Sequence, residues 1–143
     1  MEQAILFACT QNAVRSPMAA AMLRHLARGL HVESAGVRAG ELDPLAVEAM
    51  DEIGLAIAKH KPRCFEDLED GSFDLVITLS PEAQHKAMEL TRTAATVVEY
   101  WPTMDPAVVE GSREQRLLAY RSVRDGLMER LKQRFLASAA ADT

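Results

Sequence analysis

The chain has 143 residues, a formal net charge of −5 at pH 7, 48% hydrophobic residues and 26% charged ones. This mixture fits one globular domain spanning 1–143 with a sizeable core, and it excludes fibrous and disordered classes. The acidic balance and the lack of a basic stripe argue against a nucleic-acid partner, so any anion site must be local, built from backbone N–H groups and one or two arginines.

Along the chain, strand-like and helix-like segments alternate. Gln3 to Ala8 is a short apolar run suited to a buried strand. Pro17 to Arg28 follows as a helix, with Ala19, Met22, Leu23, Leu26 and Leu30 on one face and Gly29 where a C-cap belongs. His31 to Ser34 is a second short strand. Asp43-Pro44 opens a helix with Ala46, Ala49, Met50 and Ile53 inward and Gly54 at its end. Asp74 to Leu79 is the clearest strand, apolar on both faces as in a parallel sheet. Ser80-Pro81 starts the next helix, and Ala95 to Glu99 is the fourth strand. Ser112 and Gln115 form a capping-box pattern for a last helix reaching about Phe135, with Leu117, Tyr120, Leu127, Leu131 and Phe135 on its inner face. The tail after Ala137 is expected to fray. Ser16-Pro17, Asp43-Pro44 and Ser80-Pro81 share one device, an oxygen-bearing cap before a proline whose missing N–H costs nothing at the first helical position. The predicted fold is α/β: a four-stranded parallel open sheet flanked by helices on both faces, with ligands beyond the carboxyl ends of the strands.

The two cysteines, Cys9 and Cys64, make no disulfide framework and no zinc spacing. Met1 to Ala8 lacks the pattern of a signal peptide, and no apolar stretch is long enough to span a bilayer. The expectation is a cytoplasmic chain with reduced thiols, no membrane partner, and a monomer as the default.

The segment Cys9-Thr10-Gln11-Asn12-Ala13-Val14-Arg15-Ser16 separates a cysteine from an arginine by five residues, between a buried strand and a helix start. A loop of this length can turn its successive N–H groups inward as an anion nest, reinforced by the positive end of the helix. Arg15 can fold back to grip two oxygens of a tetrahedral oxyanion, and Cys9 at the base supplies a thiolate nucleophile. A chance spacing around a buried structural cysteine is the competing reading; the strand–loop–helix context favours chemistry. Ser16 either donates to the sulfur or caps the helix. Asp105-Pro106, in a proline-bounded loop, is either a general acid or a turn former. His60 is either a group bracing the loop or a plain loop histidine, and His25, His31 and His85 are read as spectators. Cys64 is a resolving thiol or, preferably, a small apolar filler.

CTQNAVRSPM resembles the phosphate-binding loop of the low-molecular-weight protein tyrosine phosphatases, whose fold is shared by thioredoxin-coupled arsenate reductases. The resemblance extends over nearly the whole chain. It implies that residues 10–16 (Thr10, Gln11, Asn12, Ala13, Val14, Arg15 and Ser16) bind phosphate. Ser34, in Glu33-Ser34-Ala35-Gly36, would support the loop, His60 would hold Asn12, and Asp105 would be the general acid. It also implies a four-stranded parallel sheet, and no metal or organic cofactor.

Three departures from that pattern bear on activity. Val14 stands where many such phosphatases have a second cysteine, and Gln11 replaces a loop glycine, so strain is expected if that position needs a positive φ. Ala107-Val108 replaces aromatic residues, and Val37 to Leu42 lacks a tryptophan, which weakens the case for a phosphotyrosine ring; Trp101 is the one candidate substitute. Ser80 to Thr91 contains no cysteine, which rules out a triple-cysteine relay. The leading expectation is a phosphomonoesterase acting through a phosphocysteine on a phosphoester or oxyanion substrate. The second is an arsenate reductase with a small thiol such as glutathione or mycothiol, or a glutaredoxin, as partner. The third is a non-catalytic phosphate-binding module.

Overall fold

The computed structural model describes residues 3–68, 72–91 and 95–136; the predicted frayed tail after Ala137 lies outside them. Four strands form one parallel sheet: β1 (Ala4–Cys9), β2 (His31–Gly36), β3 (Leu75–Thr78) and β4 (Val97–Tyr100). Their spatial order is β2-β1-β3-β4. The chain leaves β1 toward one side for β2 and later returns to its other side for β3, so the C-terminal ends of β1 and β3 flank a topological switch point.

Side-chain alternation along β1 separates two apolar layers. Ile5, Phe7 and Cys9 face a large core covered by α1 (Arg15–Leu26), α2 (Pro44–Asp51) and α4 (Arg113–Leu131). Leu6 and Ala8 face a smaller core beneath α3 (Pro81–Leu90) and the turn bearing Phe65. The helices therefore cover both faces, as the uninterrupted apolar runs of β1 and β3 required.

Caps set the helix starts. Asp43 accepts from Leu45 N–H at 2.9 Å, Ser80 from Ala83 N–H at 3.2 Å, and Ser112 and Gln115 close a reciprocal box. Each cap contributes about 1 kcal/mol. The Ser16-Pro17 pair departs from this rule. The first helix begins earlier than expected, at Arg15, and ends at Leu26 with Ala27 as its C-cap, not Gly29. Ser16 thus lies inside the first turn, its hydroxyl free for another use. Ile53, expected inward, is 38% exposed because α2 ends at Asp51 and its apolar stripe ends with it. The second strand runs on to Gly36, and the fourth is shifted to Val97–Tyr100. Past Leu131 the last helix loosens into a π-helical stretch, Lys132–Leu136, where Phe135 is only partly buried.

Candidate active site

Residues 10–14 curve between the end of β1 and the start of α1. Their orientation follows from where the carbonyls go. Those of Cys9, Thr10 and Gln11 accept from the N–H groups of Val37, Arg38 and Gly40, at 3.1, 2.9 and 2.9 Å. The Ala13 carbonyl accepts from Asp43 N–H at 3.3 Å, and the Asn12 carbonyl from His60 Nε2 at 3.2 Å. With the carbonyls held outward, the N–H groups of Gln11 through Ser16 donate to no acceptor among the described residues. They are the donors of an anion nest.

Asn12 is the keystone of the loop. It is fully buried and has the only positive φ of a non-glycine residue among those described, 54°. The strain expected at Gln11 falls instead on a residue type that tolerates this conformation. Its Nδ2 donates to Ser16 Oγ and Ser34 Oγ, both at 2.9 Å. Its Oδ1 accepts from Arg63 N–H and from His60 Nε2, both at 3.0 Å. Both partners of His60 Nε2 are acceptor oxygens, so this nitrogen carries the proton. Burial holds His60 below its ordinary range, opposed by the bond to the Asn12 carbonyl and aided by the Arg24 charge.

Cys9 is buried at the base of the bowl with Ser16 Oγ 2.9 Å from its Sγ. Ser16 accepts from Asn12, so its own proton is available to the sulfur or to Ala35 O, 3.5 Å away. The choice between cap and sulfur partner resolves to the sulfur. Arg15 is held by a bond from Nη1 to Thr103 O at 3.0 Å, and its Nη2 lies 4.0 Å from Asp105 Oδ2. Asp105 is partly exposed and caps a short 3-10 turn, accepting from Ala107 N–H at 3.0 Å. Thr10 Oγ1 donates to Ser80 Oγ at 3.0 Å, joining the loop to the start of α3 across the switch point.

Above the loop opens a cavity of about 430 Å³ lined by Cys9, Arg15 and Asp105 together with Arg38, Glu41, Asp43 and Glu82. No aromatic ring lines it among the described residues. Trp101, the candidate substitute wall, is 3% exposed and packs edge-on against Phe7, with the Arg130 guanidinium 4.7 Å from its ring centre. Arg38 and Glu82 pair at 3.1 Å on the cavity wall.

The structure brings together every predicted residue: Cys9, the loop to Ser16, Ser34, His60 and Asp105. Sequence reasoning missed the strap from Val37 to Asp43 that holds the loop carbonyls, and the reason for Gly36. A Cβ at Gly36 would lie 2.7 Å from Asn12 N and 2.5 Å from Arg38 O. The available signal was the number of loop carbonyls that needed donors. Cys64 pairs through its backbone with Gly36, which is itself in register with Cys9. Two strand spacings put the cysteine Cα atoms roughly 9–10 Å apart, beyond disulfide reach without backbone movement. The Cys64 thiol donates to Asp67 at 3.2 Å, and the bonds to Asp67 and then Glu66 push it up. Among the described residues no group of three or more His, Cys, Asp or Glu is placed to hold a metal ion, and no helix is long and apolar enough to cross a membrane.

The family model for low molecular weight phosphotyrosine protein phosphatases matches residues 4–142. The chain belongs to this family. An arsenate reductase of Shouchella clausii is 38% identical over 131 residues, covering 90% of this chain and 92% of the relative. A low molecular weight protein tyrosine phosphatase from Bacillus subtilis, solved in solution, is 32% identical, with a TM-score of 0.75 and 95% of each chain covered. The YwlE arginine phosphatase, solved as a cysteine-to-serine variant with a phosphorylated active-site serine, is 28% identical, with a TM-score of 0.73 and 92% of each chain covered. This low-molecular-weight phosphatase-family fold thus occurs among the chain's relatives with both phosphatase and arsenate reductase names.

Proposed function

We propose that the chain hydrolyses phosphate esters or phosphoramidates through a phosphocysteine at Cys9. The observation that carries this reading is the convergence of free N–H groups, the Cys9 sulfur and Arg15 in one bowl, with a carboxyl group on its rim. The Cys9 thiolate attacks phosphorus while the P–O or P–N bond to the leaving group breaks. Protonated Asp105 gives its proton to the departing atom, then takes one from the water that attacks phosphorus and releases the thiolate. The N–H groups and Arg15 meet the charge on the equatorial oxygens. A phosphorylated active-site serine in a relative supports transfer to the residue at this place. The ring-free, carboxylate-lined cavity gives a phosphotyrosine ring little to stack on. A cationic leaving group, such as the arginine named for YwlE, finds partners there.

The names of curated relatives, that of Shouchella clausii among them, favour a second reading, arsenate reduction. Cys9 would displace water from arsenate; an external thiol would then attack the Cys9 sulfur, leaving a mixed disulfide and releasing arsenite with two added electrons. In this reading the partner thiol is external, since Cys64 would meet Cys9 only with backbone movement. The test is metal-free hydrolysis of p-nitrophenyl phosphate, phosphoserine, phosphotyrosine and phosphoarginine by wild type and Cys9→Ser. Turnover lost in Cys9→Ser is expected. Turnover equal in both, or arsenate reduction that needs added thiol with no hydrolysis at all, contradicts the hydrolase.

A further inference from the structure

Behind the loop, on the side away from the Cys9 cavity, lies a second cavity of about 460 Å³. Five cationic or basic side chains line it: Arg24, Lys59, His60, Lys61 and Arg63. In a chain of net charge −5, this is a local reversal of sign. Among the described residues two carboxylates belong to this surface, Asp67 on the cavity wall and Glu33 beside it, and each already has partners. Asp67 accepts from Cys64 N–H at 3.1 Å and from the Cys64 thiol, while Glu33 pairs with Arg63 and lies 3.4 Å from His31. Lys59 and Lys61 have no ion pair among the described residues, and both Arg24 bonds go to one neutral carbonyl, Val32 O, at 3.1 and 2.7 Å. The Arg24 guanidinium is pushed down by burial and by the Arg63 charge beside it. Arg63 has Glu33 as its partner, so the cations here without an ion pair among the described residues are Arg24, Lys59 and Lys61.

The wall of this cavity is also the support of the loop. His60 and Arg63 hold Asn12 Oδ1, and Ser34, which lines the cavity too, accepts from Asn12 Nδ2. From Asn12 one hydrogen bond leads to Ser16 and the next to the Cys9 sulfur.

We infer that the cavity formed by Arg24, Lys59, His60, Lys61 and Arg63 is a second anion site, taking a small multiply charged anion of the oligophosphate class and reporting its occupancy to the Cys9 loop through Asn12. A single phosphate group would fill a small part of the cavity, which favours an anion with several charged groups. Reciprocity follows: an anion behind the loop changes affinity for the oxyanion in front of it, and the reverse.

The test is an NMR titration of the whole ¹⁵N-labelled chain with inorganic tripolyphosphate, on wild type and on the Lys59→Glu/Lys61→Glu double variant. Both lysines are exposed, so the variant should retain the wild-type spectrum elsewhere. In wild type, the amides of residues 59–63 and the Asn12 side-chain amide should move together, on a binding curve separate from that of residues 10–16. In the double variant the pocket response should weaken by about tenfold or more, as expected for reversing two adjacent charges, while the loop response persists. A response confined to residues 10–16, or a pocket response equally strong in the double variant, overturns the site. A pocket response that leaves the Asn12 side chain unmoved overturns the transmission. The readout is binding, so failure of this site and failure of the hydrolase reading are separate results.

Discussion

Ser16 and Asp105 show how little side-chain chemistry the bowl requires beyond the backbone. Among the described residues the Ser16 hydroxyl is the single side-chain group within hydrogen-bond distance of the Cys9 sulfur, and it is positioned by Asn12. Hydrogen bonds to charged groups contribute about 1.5–3 kcal/mol. Ser16→Ala should therefore lower kcat about 10- to 100-fold on p-nitrophenyl phosphate, assayed well below a thermal midpoint that also falls because Asn12 Nδ2 loses a buried acceptor. An unchanged kcat beside that lowered midpoint would instead make Ser16 a packing residue. For Asp105 the discriminating variable is the leaving group. Asp105→Asn should cost about 10²–10⁴ in kcat/KM on an alkyl phosphate, as the loss of a general acid does. The cost should be much smaller on p-nitrophenyl phosphate, whose leaving group departs unprotonated. Equal losses on both substrates would assign Asp105 to binding Arg15 alone.

At the scale of elements, the site is a product of loop satisfaction. The strap after β2 exists to take the carbonyls of the Cys9 loop, and Gly36 lets it approach that closely. Gly36→Ala should force the strap off Asn12 and cut both thermal stability and turnover, measured by calorimetry and initial rates; a variant with full activity would show that the strap is dispensable. The alternation of strands and helices, the helix caps at Asp43 and Ser80, and the Cys9–Arg15 frame were legible because each follows from local chemistry: apolar runs, capping oxygens and proline placement. Ser16 was not fully legible. Its Ser-Pro pair looks the same as Ser80-Pro81, and only the position of the Cys9 sulfur and Asn12 gives its hydroxyl another partner. The positive φ at Asn12 and the burial of Trp101 were equally out of reach, since both depend on contacts from Ser34, His60, Phe7 and Arg130, far away in sequence.

At the scale of the molecule, α4 ties the end of α2 to the body through arginines. Glu52 accepts from Arg121 and Arg124, and Arg124 also donates to Ala49 O at 2.7 Å. The bonds to Arg121 and then Arg124 pull the Glu52 carboxyl down to about 2. A depressed folded-state value means that unfolded Glu52 binds its proton first. Its contribution is therefore full above the ordinary carboxylate range near 4.3 and is lost as pH falls toward 2. Glu52→Gln should reduce stability at neutral pH and flatten its decline between about pH 5 and 2, read as urea midpoints across that window. Parallel curves for variant and wild type would show that the Glu52–arginine cluster adds nothing.

The central claim is that Cys9 itself receives the phosphoryl group. The most direct measurement is mass spectrometry of the Cys9 peptide, acid-quenched while Asp105→Asn turns over p-nitrophenyl phosphate, because loss of the base that activates water lets the intermediate accumulate. The account predicts a phosphoryl adduct on Cys9, absent in Cys9→Ser or carried there as a stable phosphoserine. Hydrolysis that proceeds at the same rate with no adduct on Cys9, and survives in Cys9→Ser, would contradict it.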